Sequence, residues 1–246
     1  MRQVLPTPAD EVVVSDCYAR DERPARPGRP WVVINMIASI DGSTAVAGRS
    51  GGLGTPADHQ VFTALRALAD VIVVGAGTVR AEGYGPPRTP QAEQERRVAR
   101  GQSRFPRIAV VTGRLDLDLS TPLFTESVEP PIILTGTAAS AEARAAVTEV
   151  ADVHVVGEAQ VDLARALAAL AGLGAGVALC EGGPLLNDQL LAEALIDEIC
   201  LSVSPMLAGG ESARIIHGSA PATPMPMRLD RALEEDGMLL LRYVRA

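Results

Sequence analysis

Four apolar residues, Val71-Ile72-Val73-Val74, run directly into Gly75-Ala76-Gly77-Thr78-Val79-Arg80. A β-branched run closed by glycine is the pattern of a buried strand. Thr78 is then placed to cap a short helix whose free backbone N–H groups face an anion. Strand, glycine turn and helix start in immediate succession restrict the chain to α/β architectures. They also point to a phosphate-bearing cofactor, and so to a nucleotide-dependent enzyme.

The same grammar recurs along the chain. Residues 31–38, 107–111, 131–134, 153–156, 176–180 and 197–204 read as further strands, and 138–147, 161–171 and 185–194 as helices. The stretch 56–69 places Val61, Phe62, Leu65, Leu68 and Ala69 on one helical face, with Thr55 as N-cap and Pro56 in the first turn. Strands alternating with helices of about 10–12 residues imply a mostly parallel sheet covered on both faces, a three-layer α/β/α fold. A last strand at 238–244 adds an antiparallel edge. Residues 1–30, charged and broken by prolines, read as an N-terminal extension, and 31–246 as one domain. Residues 84–106 read as a long polar loop, and the stretch after Gly209-Gly210 as irregular and rich in Pro and Met.

Composition excludes several classes. With only 3% aromatic residues the core is aliphatic, and a net charge of −8 argues against general nucleic-acid binding. Cys17, Cys180 and Cys200 have neither disulfide nor zinc spacing, and His59, His154 and His217 have no ligand neighbours, so no metal is expected. No signal peptide and no apolar span of about 18 residues are present. The expectation is a soluble cytoplasmic protein acting on a small molecule, with no membrane partner.

Three glycine-bearing turns follow strands: after Val74, at Thr112-Gly113-Arg114, and at Glu181-Gly182-Gly183-Pro184. In open α/β sheets, ligands bind outside the carboxyl ends of the strands, where all three turns would lie. None matches the dinucleotide or P-loop fingerprints. The glycines of the third turn let a diphosphate approach the backbone, and Pro184 opens a helix with positive potential at its start. Thr112 and Arg114 suit a ribose 2′-phosphate, which favours NADPH over NADH. Asp41, at the end of the first long strand, is a candidate proton donor with a raised pKa, or else one half of an Asp-Gly turn.

In order, Ser39-Ile40-Asp41-Gly42, the stretch Leu65 to Arg80, Glu181-Gly182-Gly183-Pro184, Leu195-Ile196-Asp197-Glu198, Ser204-Pro205 and Gly209-Gly210 resemble the reductase domain of the bifunctional riboflavin-biosynthesis deaminase/reductase. The resemblance covers roughly residues 31–246. It implies a dihydrofolate-reductase-like fold, NADPH as cofactor and a homodimer. By matching motif it implies Ala38, Gly75, Gly77, Thr78, Val79, Thr112, Arg114 and Gly182, Gly183, Pro184, Leu185 around NADPH. Ser50, Arg66, Glu82, Arg88 and Glu181 would face the substrate, and Asp41 would stand near the hydride-transfer centre. The deaminase half is missing, since no zinc deaminase signature is present. Where the family reads Asp-Pro-x-Leu-Thr-x-Arg, this chain has Glu82-Gly83-Tyr84-Gly85-Pro86-Pro87-Arg88.

The activity implied is hydride transfer to C1′ of a ribosylaminopyrimidine phosphate, of the 5-amino-6-(5-phosphoribosylamino)uracil type. Arg66 and Arg88 would hold the phosphate. Two alternatives stay open: dihydrofolate reduction on the same fold, favoured by a pocket with an apolar wall and no phosphate clamp, and a nucleotide-binding protein without turnover.

Overall fold

Ten strands form one sheet in a computed structural model that describes residues 1–219 and 223–246. The strands are β1 (Arg2–Leu5), β2 (Trp31–Ser39), β3 (Val71–Gly75), β4 (Arg107–Val111), β5 (Ile132–Thr135), β6 (Asp152–Val155), β7 (Val177–Cys180), β8 (Glu198–Ser204), β9 (Met227–Glu235) and β10 (Met238–Arg245). The helices are α1 (Val14–Ala19), α2 (Pro56–Leu68), α3 (Ala76–Glu82), α4 (Gln91–Ala99), α5 (Pro122–Thr125), α6 (Ala141–Thr148), α7 (Leu163–Gly172) and α8 (Pro184–Ala192). The sheet order is β1-β9-β10-β8-β2-β7-β3-β4-β5-β6. From β8 to β6 every pairing is parallel, and from β8 outwards to β1 every pairing is antiparallel.

Strand side chains alternate between two faces, and the core divides accordingly. Val33, Ile72, Val74, Ile108 and Val110 pack with Val61 and Leu65 of α2 on one face. Val32, Ile34, Val71, Val73 and Ala109 pack with Leu167 and Leu170 of α7 and Leu190 of α8 on the other. The expected three-layer fold with a mostly parallel mixed sheet is therefore present, and each fully buried aliphatic side chain contributes roughly 1.5–3 kcal/mol to it.

Several local expectations are corrected. The helix after β3 starts at Ala76, with Gly75 as its N-cap, rather than at Thr78. Thr55 does occupy the N-cap of α2, yet its hydroxyl contacts Met238 Sδ at 3.2 Å instead of capping. The polar stretch 84–106 contains α4, and the irregular stretch after Gly210 gives way to β9; within that stretch, residues 220–222 lie outside the described residues. β9 and β10 are joined at Asp236-Gly237, both with positive φ (52° and 80°), as a tight hairpin turn requires.

The first thirty residues are tied into the fold. β1 pairs with β9, and α1 buries Val14 and Tyr18 beside α2. Arg29 grips Asp197 through two nitrogens (2.5 and 3.0 Å), and Arg26 reaches the same carboxylate at 3.0 Å. Arg23 and Arg242 each donate twice to Glu198. Asp197 and Glu198 have no exposure at all, so these arginines are what allow two adjacent carboxylates to be buried.

Arg97 of α4 is also fully buried. It donates to the carbonyls of Ala67 (3.1 Å) and Ala69 (2.5 Å) and to that of Ser103 (2.8 Å). The last carbonyls of a helix have no partner within it, and Arg97 supplies one at the end of α2.

Candidate active site

Because β7, β3 and β4 are parallel neighbours, the three glycine-bearing turns lie along one edge of the sheet, as expected. A cavity of about 520 Å³ opens at this edge. One wall is built from the starts of two helices: Gly75, Gly77 and Thr78 at α3, and Gly183, Pro184, Leu185 and Leu186 at α8. The two turns interlock. Gly75 N–H donates to the Gly182 carbonyl at 2.9 Å, and a Cβ on Gly183 would stand 2.7 Å from Thr78 Oγ1. Glycine is what lets these backbones and Thr78 share the space. α8 has no side-chain cap, so the N–H groups of its first turn remain available to an anion.

The opposite wall comes from β2, α2 and the loop 40–55. It includes Asn35, Met36, Ile37, Thr44, Ser50, Asp58 and Phe62. The loop is fastened at three places. Asp41 accepts from the backbone N–H groups of Ala208 (3.1 Å) and Gly209 (2.7 Å). Thr44 Oγ1 donates to the Ala213 carbonyl at 2.7 Å, and Ser50 donates through N–H and hydroxyl to Glu82 Oε1.

Asp41 does not match the expectation of a proton donor with a raised pKa. The Ser39 hydroxyl, at 2.5 Å, and the two backbone N–H groups hold its carboxyl down at about 2. It is exposed and outside the cavity lining, so the structure gives it the role of a loop fastener. Asp58 has the property sought at Asp41. It is half-buried, lines the cavity, and burial pushes its carboxyl up against the opposing hydrogen bond from Ser202 Oγ at 2.6 Å.

Arg66 and Glu181 are brought together rather than held apart for a ligand. Arg66 donates to both Glu181 oxygens at 2.7 and 2.6 Å, and the Tyr84 hydroxyl adds a third bond at 2.7 Å. The guanidinium also lies over the Phe62 ring at 4.1 Å. Glu181 and Tyr84 line the cavity; Arg66 does not. Of the other expected residues, Ala38 and Val79 are buried outside the lining, and Gly182 contributes its carbonyl to the Gly75 contact. Thr112 is buried, with Oγ1 accepting from Leu115 N–H, while Arg114 and Arg88 are exposed and outside the lining. Asn35, Asp58, Phe62 and Tyr84 are among the lining residues that sequence reasoning missed. Asp58 has the ordinary place of an acidic residue in a helix first turn, which hides it. Tyr84 falls where the loop departs from the family pattern, which was its one signal.

The comparisons bear on the family and the fold. A family model described as the RibD C-terminal domain matches residues 30–236. The chain is 30% identical over 188 residues, 75% of this chain and 84% of the relative, to the 2,5-diamino-6-ribosylamino-4(3H)-pyrimidinone 5′-phosphate reductase of Archaeoglobus fulgidus. It is 30% identical over 224 residues, 87% of this chain and 98% of the relative, to the protein of the same name in Methanothermobacter thermautotrophicus. Among solved structures, a pyrimidine reductase-like protein from Corynebacterium diphtheriae superposes with a TM-score of 0.82 at 24% identity, covering 96% of this chain and 99% of the other. A riboflavin biosynthesis reductase from Saccharomyces cerevisiae superposes with a TM-score of 0.69 at 15% identity, covering 94% and 95%.

Proposed function

Since the chain belongs to the family of the RibD C-terminal domain, we propose that it is an NADPH-dependent reductase of a ribosylaminopyrimidine 5′-phosphate, producing the ribitylamino compound. When bound, the cofactor supplies the hydride that C1′ of the acyclic imine accepts, with a proton completing the amine nitrogen. The chain's own residues hold, orient and exclude water. The interlocked backbone at Gly75, Gly182 and Gly183, with Gly77, Thr78 and the first turn of α8 from Pro184 to Leu185, is the cradle for the diphosphate; Ala38 and Val79 back it from the core. Thr112 and Arg114, one strand further along the edge, are assigned to the 2′-phosphate. Ser50, Glu82 and Glu181 border the substrate half of the cavity, with Arg66 fixing Glu181. Arg88, exposed beyond α3, is assigned to the substrate phosphate outside the cavity.

The observation that carries this reading is that a single cavity joins the glycine wall to the wall bearing Asp58. The test is loss of NADPH absorbance with each ribosylaminopyrimidine phosphate offered separately. NADPH binding without turnover of any of them would sink the assignment. Arg114→Ala with unchanged NADPH affinity, or equal affinity for NADH, would remove the 2′-phosphate assignment.

One observation favours a second reading, reduction of dihydrofolate. No arginine or histidine lines the cavity among the described residues, the chain contains no lysine, and Met36, Ile37, Phe62 and Leu186 form an apolar wall beside Asp58. Dihydrofolate belongs in the same assay. A homodimer working in the cytoplasm is part of the first proposal; light scattering behind size-exclusion chromatography reads the assembly, and a monomeric mass would remove it. No helix among the described residues is long and apolar enough to cross a membrane.

A further inference from the structure

Tyr84 lines the cavity at a point where this chain departs from the family pattern. Its place is set by the end of α3. Gly83 closes that helix with a positive φ of 66°, and Tyr84 N–H turns back to the Val79 carbonyl at 3.1 Å. The ring packs against the core on the α2 face of the sheet, and the hydroxyl reaches the carboxylate of Glu181, just past the end of β7. Burial, and then the Glu181 carboxylate beside it, push the phenol well above its ordinary range. Tyr84 therefore stays protonated, and its proton is directed to Glu181 rather than to a substrate.

The acceptor positions on Glu181 show what this bond does. A carboxylate has about four, two on each oxygen. Oε2 receives Arg66 Nη2 at 2.6 Å and the Tyr84 hydroxyl at 2.7 Å, so it is full. Oε1 receives Arg66 Nε at 2.7 Å and no other donor among the described residues, so it keeps one position for a ligand. The Arg66 fork by itself would leave both oxygens equally open. Arg66 does not serve the ligand instead, because its guanidinium lies against the rings of Phe62 (4.1 Å) and Tyr84 (5.8 Å) and outside the cavity lining. Glu181 runs directly into Gly182 and Gly183, which interlock with Gly75 and Thr78. The open oxygen thus stands at a fixed place beside the wall assigned to the cofactor.

We propose that Tyr84 is a positioning residue of the substrate site: by filling Oε2 it leaves Oε1 of Glu181 as the single acceptor for a hydroxyl or N–H group of the substrate, and so fixes the register of the substrate against the cofactor. This role rests on the reductase reading given above. Hydride transfer depends on that register, since a misplacement of about 1 Å can cost about 100-fold in rate.

Tyr84→Phe keeps the ring and removes the hydroxyl. With NADPH and the ribosylaminopyrimidine phosphates, kcat should fall about tenfold, while KM for NADPH and the circular dichroism spectrum stay as in the wild type. A merely structural hydroxyl would lower the melting temperature and leave kcat alone. If Tyr84 acts through Glu181, adding Tyr84→Phe to Glu181→Gln should change kcat by less than about twofold. A Tyr84→Phe enzyme with the wild-type kcat, or a drop of about tenfold in the Glu181→Gln background as well, overturns the proposal. Should no ribosylaminopyrimidine phosphate turn over in the wild type, the reductase reading falls on its own. Calorimetric titration with the ribitylamino product then decides the role of Tyr84. Binding about tenfold weaker in Tyr84→Phe than in the wild type supports it, and equal affinity, or no binding to either, overturns it.

Discussion

Asp41 accepts from a hydroxyl and two backbone N–H groups, all of which stabilise its charged form, whereas Asp58 has lost solvent and gained a single hydroxyl donor. The sign of each shift sets what pH does. Asp41 titrates at about 2 in the folded protein, below an unfolded value of about 3.9. Its contribution to stability is therefore present above about pH 4 and disappears as pH falls through 2. Asp41→Asn should lower the melting temperature near neutral pH, and the gap to wild type should narrow between about pH 4 and pH 2; a gap of constant size in differential scanning fluorimetry would contradict the fastener role. The Arg66–Glu181 pair has a different signature. Arg66→Met leaves a carboxylate buried with one remaining donor, Tyr84, and should cost roughly 3 kcal/mol in urea unfolding. Asp58 was not legible beforehand because a carboxylate in the first turn of a helix needs no function to explain it, and only its burial beside Ser202 marks it out. Glu181 was legible as a site residue, but its bond to Arg66 spans 115 residues of sequence, which spacing does not reveal.

Among the elements, those that bury β-branched runs were readable and those held by polar contacts were not. β3 and β4 follow the strand pattern closely, because burial on both faces demands apolar residues throughout the central parallel strands. α4 carries Gln91, Glu93, Glu95, Arg96 and Arg97, and its one buried residue is Arg97, so it has no apolar stripe to betray it. β9 breaks the alternation of charged and apolar residues at Asp230-Arg231 and at Glu234-Glu235, and it buries Arg231. The signal that could have found it was the Asp236-Gly237 turn ahead of β10. Arg97→Met should remove the guanidinium that closes the end of α2 and destabilise the protein by roughly 2 kcal/mol, read as a shifted urea midpoint with an unchanged slope. At the α3–α8 junction, Gly183→Ala drives a methyl against Thr78 Oγ1. We expect about tenfold weaker NADPH binding by fluorescence quenching with little change in melting temperature, since a misplaced backbone in a phosphate cradle costs affinity before it costs the fold.

On the scale of the molecule, the buried carboxylates Asp197 and Glu198 join the N-terminal segment to the sheet. Deleting residues 1–29 would remove Arg23, Arg26 and Arg29 together and leave Glu198 to Arg242 and the Trp31 indole N–H, and Asp197 to the Val32 N–H alone. Stranding a buried charge costs roughly 3–5 kcal/mol, and this deletion strands more than one. The shortened chain should be insoluble or lack cooperative unfolding by circular dichroism, although the family match begins only at residue 30; a stable, cooperative product would show that the arginines are dispensable. The sheet also has an order of assembly written into it. When Asp197 and Glu198 leave the ribosome, their three N-terminal arginines are already there, and β3, β4 and β7 have the parallel partners they need. Arg242 and both strands of the terminal hairpin are made last, and β1 must wait for β9 across most of the chain. β8, which positions Ser202 against Asp58, is thus edged on one side until synthesis ends. Pairings this distant in sequence form slowly, so the glycine wall proposed as the cofactor cradle can be complete on a nascent chain whose wall bearing Asp58 is still unfinished.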